Sequence, residues 1–293
     1  EARTGCRRSL SKGAWCRAAP PGARSPAWTV AGMAHDGSLS VLFRRMAAGL
    51  LDLVFAPVCL GCDQPSRGDP SRRLICVRCR ARLRAIPPPF CPRCGAPVLR
   101  TGRSPGPVCS ECEDWPPWLH VARSAFLLHP PADRLVHQLK YRGWRALAEP
   151  MAEALAAVHL PVVQDESPMP VVPVPTTRRR IRERGYNQAE LLARGFAART
   201  GRTVLLALER SSAAASQTAL QPAARRANVA GSFRVAGDLK AALKGRHLLL
   251  VDDVLTTGAT TLECGATLVA AGARAISVLT FARALDVRRL LET

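Results

Sequence analysis

Residues 251–260 read VDDVLTTGAT: two adjacent carboxylates, Asp252 and Asp253, followed by three threonines and a glycine. The run from His247 to Val251 before them is apolar and reads as a buried strand, and the chain from Gly258 onward reads as a helix. Residues 256–260 are therefore a strand-to-helix turn. The first N–H groups of such a helix have no intrahelical acceptor, and the helix dipole adds positive potential there. Thr256, Thr257 and Thr260 contribute hydroxyl donors, and Gly258 and Ala259 leave the main chain open to an anion. This is a socket for one phosphate. The two carboxylates cannot bind that phosphate, but they can accept hydrogen bonds from sugar hydroxyls or steer a hydrated magnesium ion. Together the parts suit a ribose 5-phosphate. Neither GxxxxGK[ST] nor GxGxxG occurs in the chain, so a P-loop or dinucleotide fingerprint has no support. Helix capping alone explains one or two of these residues but not the whole string.

A second chemistry lies in the cysteines. Eight of the eleven form four CxxC pairs: Cys59/Cys62, Cys76/Cys79, Cys91/Cys94 and Cys109/Cys112. Two thiolates separated by two residues can point inward from one tight knuckle, and four knuckles supply two tetrahedral four-thiolate zinc sites. Gly95 suits the left-handed residue that such a knuckle needs. Disulfides are disfavoured because no secretory pattern precedes the cysteines. Four redox CxxC motifs in one chain also make poor sense. Pairing reads as sequential, with a cross-braced arrangement left open. Ten arginines lie among these cysteines (67, 72, 73, 78, 80, 82, 84, 93, 100 and 103). They read equally as a track for a phosphate backbone or as a solvated face. Of the other three cysteines, Cys6 and Cys16 lie near the start, and Cys264 reads as a small apolar residue.

Both sites need a scaffold. After residue 114 the chain alternates apolar strands (Val121–His129, Val171–Val174, Thr203–Arg210, 247–251 and 273–283) with helix-patterned segments. Near-continuous apolar strands alternating with helices indicate an α/β fold with a parallel sheet covered on both faces. Asn187, with Glu190 three residues on, reads as a capping box. Ligands in such sheets sit beyond the carboxyl ends of the strands. That rim would gather residues 172–188, 216–229 and 251–260. The expected organisation is a disordered or non-native leader over 1–36, then an amphipathic helix and double zinc ribbon over 37–114. The α/β domain follows over 115–285, with a tail over 286–293. The chain of 293 residues, with 47% apolar, is long enough for one sizeable core plus a smaller module. Its formal charge of +20, from 42 Lys+Arg against 22 Asp+Glu, favours anionic partners. An arginine-rich composition also inflates that charge, and it does not by itself identify nucleic acid. No window is long enough to span a bilayer.

These motifs resemble a known family. VDDVLTTGAT is similar to the signature that binds 5-phosphoribosyl 1-pyrophosphate (PRPP) in type I phosphoribosyltransferases. The CxxC ribbon, LKYRG (139–143), VPVPTTRRRIRERGYNQAELLA and QTALQPAARRANVAGSF resemble the ComF family of bacterial competence proteins over roughly residues 40 to 283. The resemblance implies a phosphoribosyltransferase-like fold with a zinc ribbon, and a role in DNA uptake during natural transformation. Imported single-stranded DNA would be handled in the cytoplasm, near the inner membrane, beside a helicase-like partner of the import machinery. By the same resemblance, Asp252 and Asp253 hold the ribose hydroxyls and Thr256 to Thr260 cradle the 5-phosphate. Thr176 and Thr177 fall on the pyrophosphate loop, from which Pro173 and Pro175 withdraw two donors. Arg182, Arg184 and Asn187 lie near the pyrophosphate, which enters with magnesium, and catalysis would fall to Asp252, Asp253, Arg182 and Arg184. Arg225, Arg226 and Asn228 fall on a closing segment. No aromatic-rich hood for an acceptor base is visible; Tyr186, Phe233 and Phe281 read as core or rim. Three roles stay open: a PRPP-binding component of DNA import, a working transferase, and a sensor without turnover.

Overall fold

The computed structural model describes residues 57–66, 73–98, 109–161, 169–210 and 231–285, all within one compact unit spanning 52–293. The expected leader, most of the amphipathic helix, the tail and the segment with Arg225, Arg226 and Asn228 lie outside these residues, as do Arg67, Arg72, Arg100 and Arg103.

Along the chain come α1 (Val77–Arg82), β1 (Leu119–Leu127), α2 (Ala132–Tyr141), α3 (Ala148–Ala156), β2 (Val171–Pro173), α4 (Arg178–Arg184) and α5 (Gln188–Thr200). Then follow β3 (Leu208–Arg210), β4 (Phe233–Val235), α6 (Lys240–Leu243), β5 (His247–Leu255), α7 (Ala259–Ala270) and β6 (Ala275–Arg283). Four strands form a parallel sheet in the order β1-β6-β5-β2. All nine residues of β6 are buried, as the centre of a sheet covered on both faces requires.

Side chains alternate across that sheet. Leu249, Val251, Leu279 and Phe281 enter one core with α2, α3 and α5, through residues such as Leu139, Met151 and Phe196. Leu248, Leu250, Ile276 and Val278 enter the other with Leu243, Cys264 and Leu268. The cysteine knuckles divide between the two. Cys59, Leu60, Ile75 and Cys79 join the first core, while Cys91, Cys94, Cys112 and Trp115 join the second. The ribbon also reaches the outer strand of the sheet: Leu127 N–H donates to Arg84 O and Ala122 N–H to Arg93 O, each at 2.8 Å.

The segment 203–210 departs from the expected long strand. Thr203 and Leu205 bond to Val171 at the edge of the sheet, and Leu206 then faces solvent. Only Leu208–Arg210 is a strand, paired antiparallel with β4 outside the main sheet. Leu208 and Phe233 join the second core from this hairpin, so apolar burial there outweighs continuation of the parallel ladder. At α5 Asn187 caps the helix, but not through the expected capping box. Asn187 Oδ1 accepts from Ala189 N at 3.2 Å, but Glu190 pairs with Arg194 at 2.8 Å. Among the described residues no helix is long and apolar enough to cross a membrane.

Candidate functional site

Strand β5 runs through both carboxylates, with Asp252 opposite Thr280 on β6. Asp253 is 2% exposed, and Lys140 Nζ, from the last turn of α2, sits 2.8 Å from its Oδ1. Its Oδ2 is buried with no hydrogen-bond partner. Asp252 Oδ1 accepts from the main-chain N–H of Asp253 at 2.8 Å. Burial, and then the neighbouring Asp253 charge, push the Asp252 carboxyl well above the usual carboxylate range, against the pull of Lys140. Arg210, at the end of β3, is brought down by burial and by Arg180, while Cys264 and Asp252 act in its favour.

The strand gives way to Thr256, Thr257 and Gly258, and α7 begins at Ala259. Gly258 has φ +78°, and an added Cβ would meet nothing closer than 3.6 Å. Conformation rather than space therefore calls for glycine here. Trp115, from the second knuckle, lies against this glycine, 3.7 Å from the Cβ position. The Thr261 hydroxyl donates to Gly258 O at 2.8 Å and Thr257 Oγ1 accepts from Ala259 N at 3.5 Å, so part of the turn's polarity is spent internally.

On the facing wall Val174 N–H donates to Val251 O at 3.0 Å, which carries the chain from β2 to Thr176 beside the carboxylates. Thr176 is buried, and its Oγ1 has no partner. Thr177 caps α4 by accepting from Arg180 N at 3.2 Å. Asn187 Nδ2 donates to Val174 O at 3.0 Å and thus fixes the entry to α5.

These walls enclose a cavity of about 410 Å³ at the carboxyl edge of the sheet, within the range of small-molecule sites (about 300–1,000 Å³). Thr176, Asp252, Asp253, Thr256 and Thr260 line it. Thr177, Asn187, Thr257, Gly258 and Ala259 stand in the supporting turns and caps. Arg182 is exposed on α4, and Arg184 turns to Gln188 Oε1 at 3.1 Å and to the Tyr141 ring. The cations that line the cavity are Lys140, Arg180 and Arg210, none of which the sequence singles out. Lys140 stood inside LKYRG, a motif already quoted, whereas nothing local marks Arg210.

The cysteines assemble sequentially: Cys59, Cys62, Cys76 and Cys79 in one cluster, and Cys91, Cys94, Cys109 and Cys112 in the other. Neighbouring sulfurs lie 3.8 Å (Cys62–Cys76), 3.7 Å (Cys91–Cys112, Cys109–Cys112) and 3.4 Å (Cys94–Cys109) apart. A disulfide requires about 2.05 Å. The edge of a tetrahedron with Zn–S near 2.3 Å is about 3.8 Å. Main-chain N–H groups of Cys76 and Gly61 point at Cys59 Sγ, at 3.2 and 3.4 Å. Although burial acts to raise it, these donors bring the Cys59 thiol down to about 7, while burial pushes Cys79 and Cys94 up. The four-sulfur spacing of both clusters fits structural zinc. Gly95 takes φ +70° as expected of its knuckle.

Arg93 has no place on a phosphate track. Its guanidinium donates to Cys112 O (3.1 Å), Trp115 O (2.9 Å) and Pro116 O (2.8 Å). Arg283, 2% exposed at the end of β6, donates to Cys94 O at 2.7 Å, and Arg123 to Pro92 O at 2.8 Å. These three arginines stitch the second knuckle to the sheet.

The chain is similar to known proteins in its ribbon and over most of its length. The double zinc ribbon domain family matches residues 50–113. The DNA utilization protein YhgH of Escherichia coli K12 is 31% identical over 216 residues, 72% of this chain and 91% of that protein. The competence protein ComFC of Bacillus subtilis 168 is 26% identical over 218 residues, 69% of this chain and 85% of that protein. Among solved structures, the glutamine PRPP amidotransferase of B. subtilis is similar with a TM-score of 0.30 and 21% identity, over 45% of this chain and 25% of that one. Since nearly the whole of a 31%-identical relative is spanned and both cysteine clusters assemble, the chain belongs to the ComF family of competence and DNA utilization proteins.

Proposed function

We propose that the chain binds PRPP with magnesium at the carboxyl edge of its sheet and serves DNA uptake in natural transformation, handling imported single-stranded DNA at the cytoplasmic face. One observation carries the first half. Asp253 Oδ2 and Thr176 Oγ1 are buried oxygens without partners, on residues that line one cavity. Such an unanswered group costs about 1–3 kcal/mol, and a ribose hydroxyl and a diphosphate oxygen would answer these two. On this reading Asp252 and Asp253 accept from the ribose diol. The first-turn amides of α7, with the Thr256 and Thr260 hydroxyls, take the 5-phosphate. Arg180, Arg210 and Thr176 meet the pyrophosphate. Magnesium would enter with that group, held through its waters by Asp252, and would neutralise leaving-group charge. Arg182 and Arg184 extend the positive field along α4 toward DNA phosphates.

The names of the relatives, a DNA utilization protein and a competence protein, support the second half. A helicase-like partner of the import machinery and a position near the inner membrane belong to the same proposal. Calorimetry with PRPP and magnesium, with and without an oligonucleotide, tests it. Asp253→Asn is expected to abolish PRPP binding while single-strand binding persists, weakening with salt at a log–log slope of about −0.7 per neutralised phosphate. No heat from PRPP with the wild-type protein refutes the reading. A working transferase is favoured by Arg180 and Arg210, which line the cavity where leaving-group charge would develop. Pyrophosphate released only in the presence of an acceptor would establish turnover, whereas binding without release would establish a sensor.

A further inference from the structure

Helix α2 ends at the mouth of the cavity with side chains that the PRPP reading does not use. Aromatic residues are scarce in this chain, at 5%, and five of the ten Phe, Trp and Tyr among the described residues are buried. Among the described residues, the exposed large aromatics are Phe90, Tyr141 and Trp144, and two of these three fall within residues 141–144. Tyr141 is 60% exposed and lines the cavity together with His137, one turn earlier. The two rings lie 5.0 Å apart at 43°, and the Arg184 guanidinium sits 4.8 Å from the Tyr141 centroid. A flat ring held open to solvent, steadied by an imidazole and a guanidinium, suits stacking by another flat ring. Bases stack on such aromatic platforms while neighbouring arginines meet their phosphates.

We infer that Tyr141, His137 and Arg184 form a nucleobase-stacking subsite at the mouth of the cavity. The base lies on the Tyr141 ring, outside the pocket that Asp252, Asp253 and the α7 turn offer to PRPP. The inference rests on that reading and deepens it by naming the second substrate or ligand as base-bearing. The base comes either from a free nucleotide or from a single strand, and both share the same π face.

Binding of a short oligothymidylate is compared with that of an abasic strand of equal length and charge, on the full-length zinc-loaded protein. Thymidine monophosphate is then compared with deoxyribose 5-phosphate. The wild-type protein is expected to favour the base-bearing ligand about tenfold in at least one pair. Tyr141→Ala should reduce that preference to near unity, and Tyr141→Phe should retain it. His137→Ala, also at an exposed position, should lower it by a smaller factor. A preference confined to the nucleotide pair assigns the subsite to free nucleotides, and one confined to the strand pair assigns it to single-stranded DNA. Equal binding with and without the base in both pairs, or a preference undiminished in Tyr141→Ala, overturns the inference. No arm contains PRPP, so failure here leaves PRPP binding untouched, and a failed PRPP titration leaves this comparison readable.

Discussion

The two cysteine knuckles share a ligand spacing and differ in how they meet the body of the protein. The first enters its core through apolar contact, with Cys59, Leu60, Ile75 and Cys79 packed beside α2. Its polar link to α2 is the pair between Arg134 and Asp63, both well exposed. The second is bound by donors from Arg93, Arg123 and Arg283 and lies against the turn at Gly258 through Trp115. Each knuckle therefore backs a different wall of the same cavity. The first supports the helix that carries Lys140 and Tyr141, and the second supports the turn at Gly258. Apolar contact tolerates small shifts, whereas guanidinium bonds to carbonyls fix both distance and angle. The wall at Gly258 should thus depend more sharply on its cysteine cluster.

The largest effect expected from this difference comes from the ligands themselves. Structural zinc contributes an apparent 10–16 kcal/mol or so in small zinc domains, so either Cys62→Ser or Cys94→Ser should halve the bound zinc, as read by metal analysis. Cys94→Ser should also abolish PRPP binding, while Cys62→Ser should weaken it far less. Equal losses in calorimetry would break the contrast between the knuckles. Next in size is Lys140→Met, which strands the Asp253 carboxylate in a site only 2% exposed. Removing one partner of a buried pair costs about 3–5 kcal/mol, to be read as a lower midpoint in denaturant. A matched pair of arginine variants gives the smallest and most discriminating comparison. Arg283→Met removes a buried donor to Cys94 O and should cost about 1–3 kcal/mol. Arg134→Ala, at an exposed ion pair, should cost less than about 1 kcal/mol. If Arg134→Ala proved the costlier, the first knuckle would be the more tightly coupled.

Much of the strand-turn-helix around Gly258 could be read from the chain because its parts are contiguous. The strand, carboxylates, turn and helix fall within 247–270, and each rests on local rules of period, capping and glycine conformation. The CxxC spacing was equally local. Contacts between distant segments were hidden. Lys140 reaches Asp253 only because α2 and β5 pack together, and Arg283 meets Cys94 across 189 positions. The expected long strand over 203–210 failed for a related reason: its apolar residues satisfied a strand pattern, and only the packing of Leu208 with Phe233 decided which sheet it would join. An arginine between cysteines, such as Arg93, reads as a charge until its carbonyl partners come into view. Tyr141 stands in LKYRG and one turn after His137, but the approach of Arg184 to its ring depends on packing between α2 and α4 that no local spacing shows.

The main-chain bonds from Arg84 and Arg93 to the outermost strand have a colloidal consequence. An open row of peptide groups at a sheet margin is a template for another copy of the same chain. Here the metal-bound segment occupies part of that row at Ala122 and Leu127. Chelation would therefore do more than loosen a fold: it would uncover a sticky border, and demetallated protein should self-associate in proportion to its concentration.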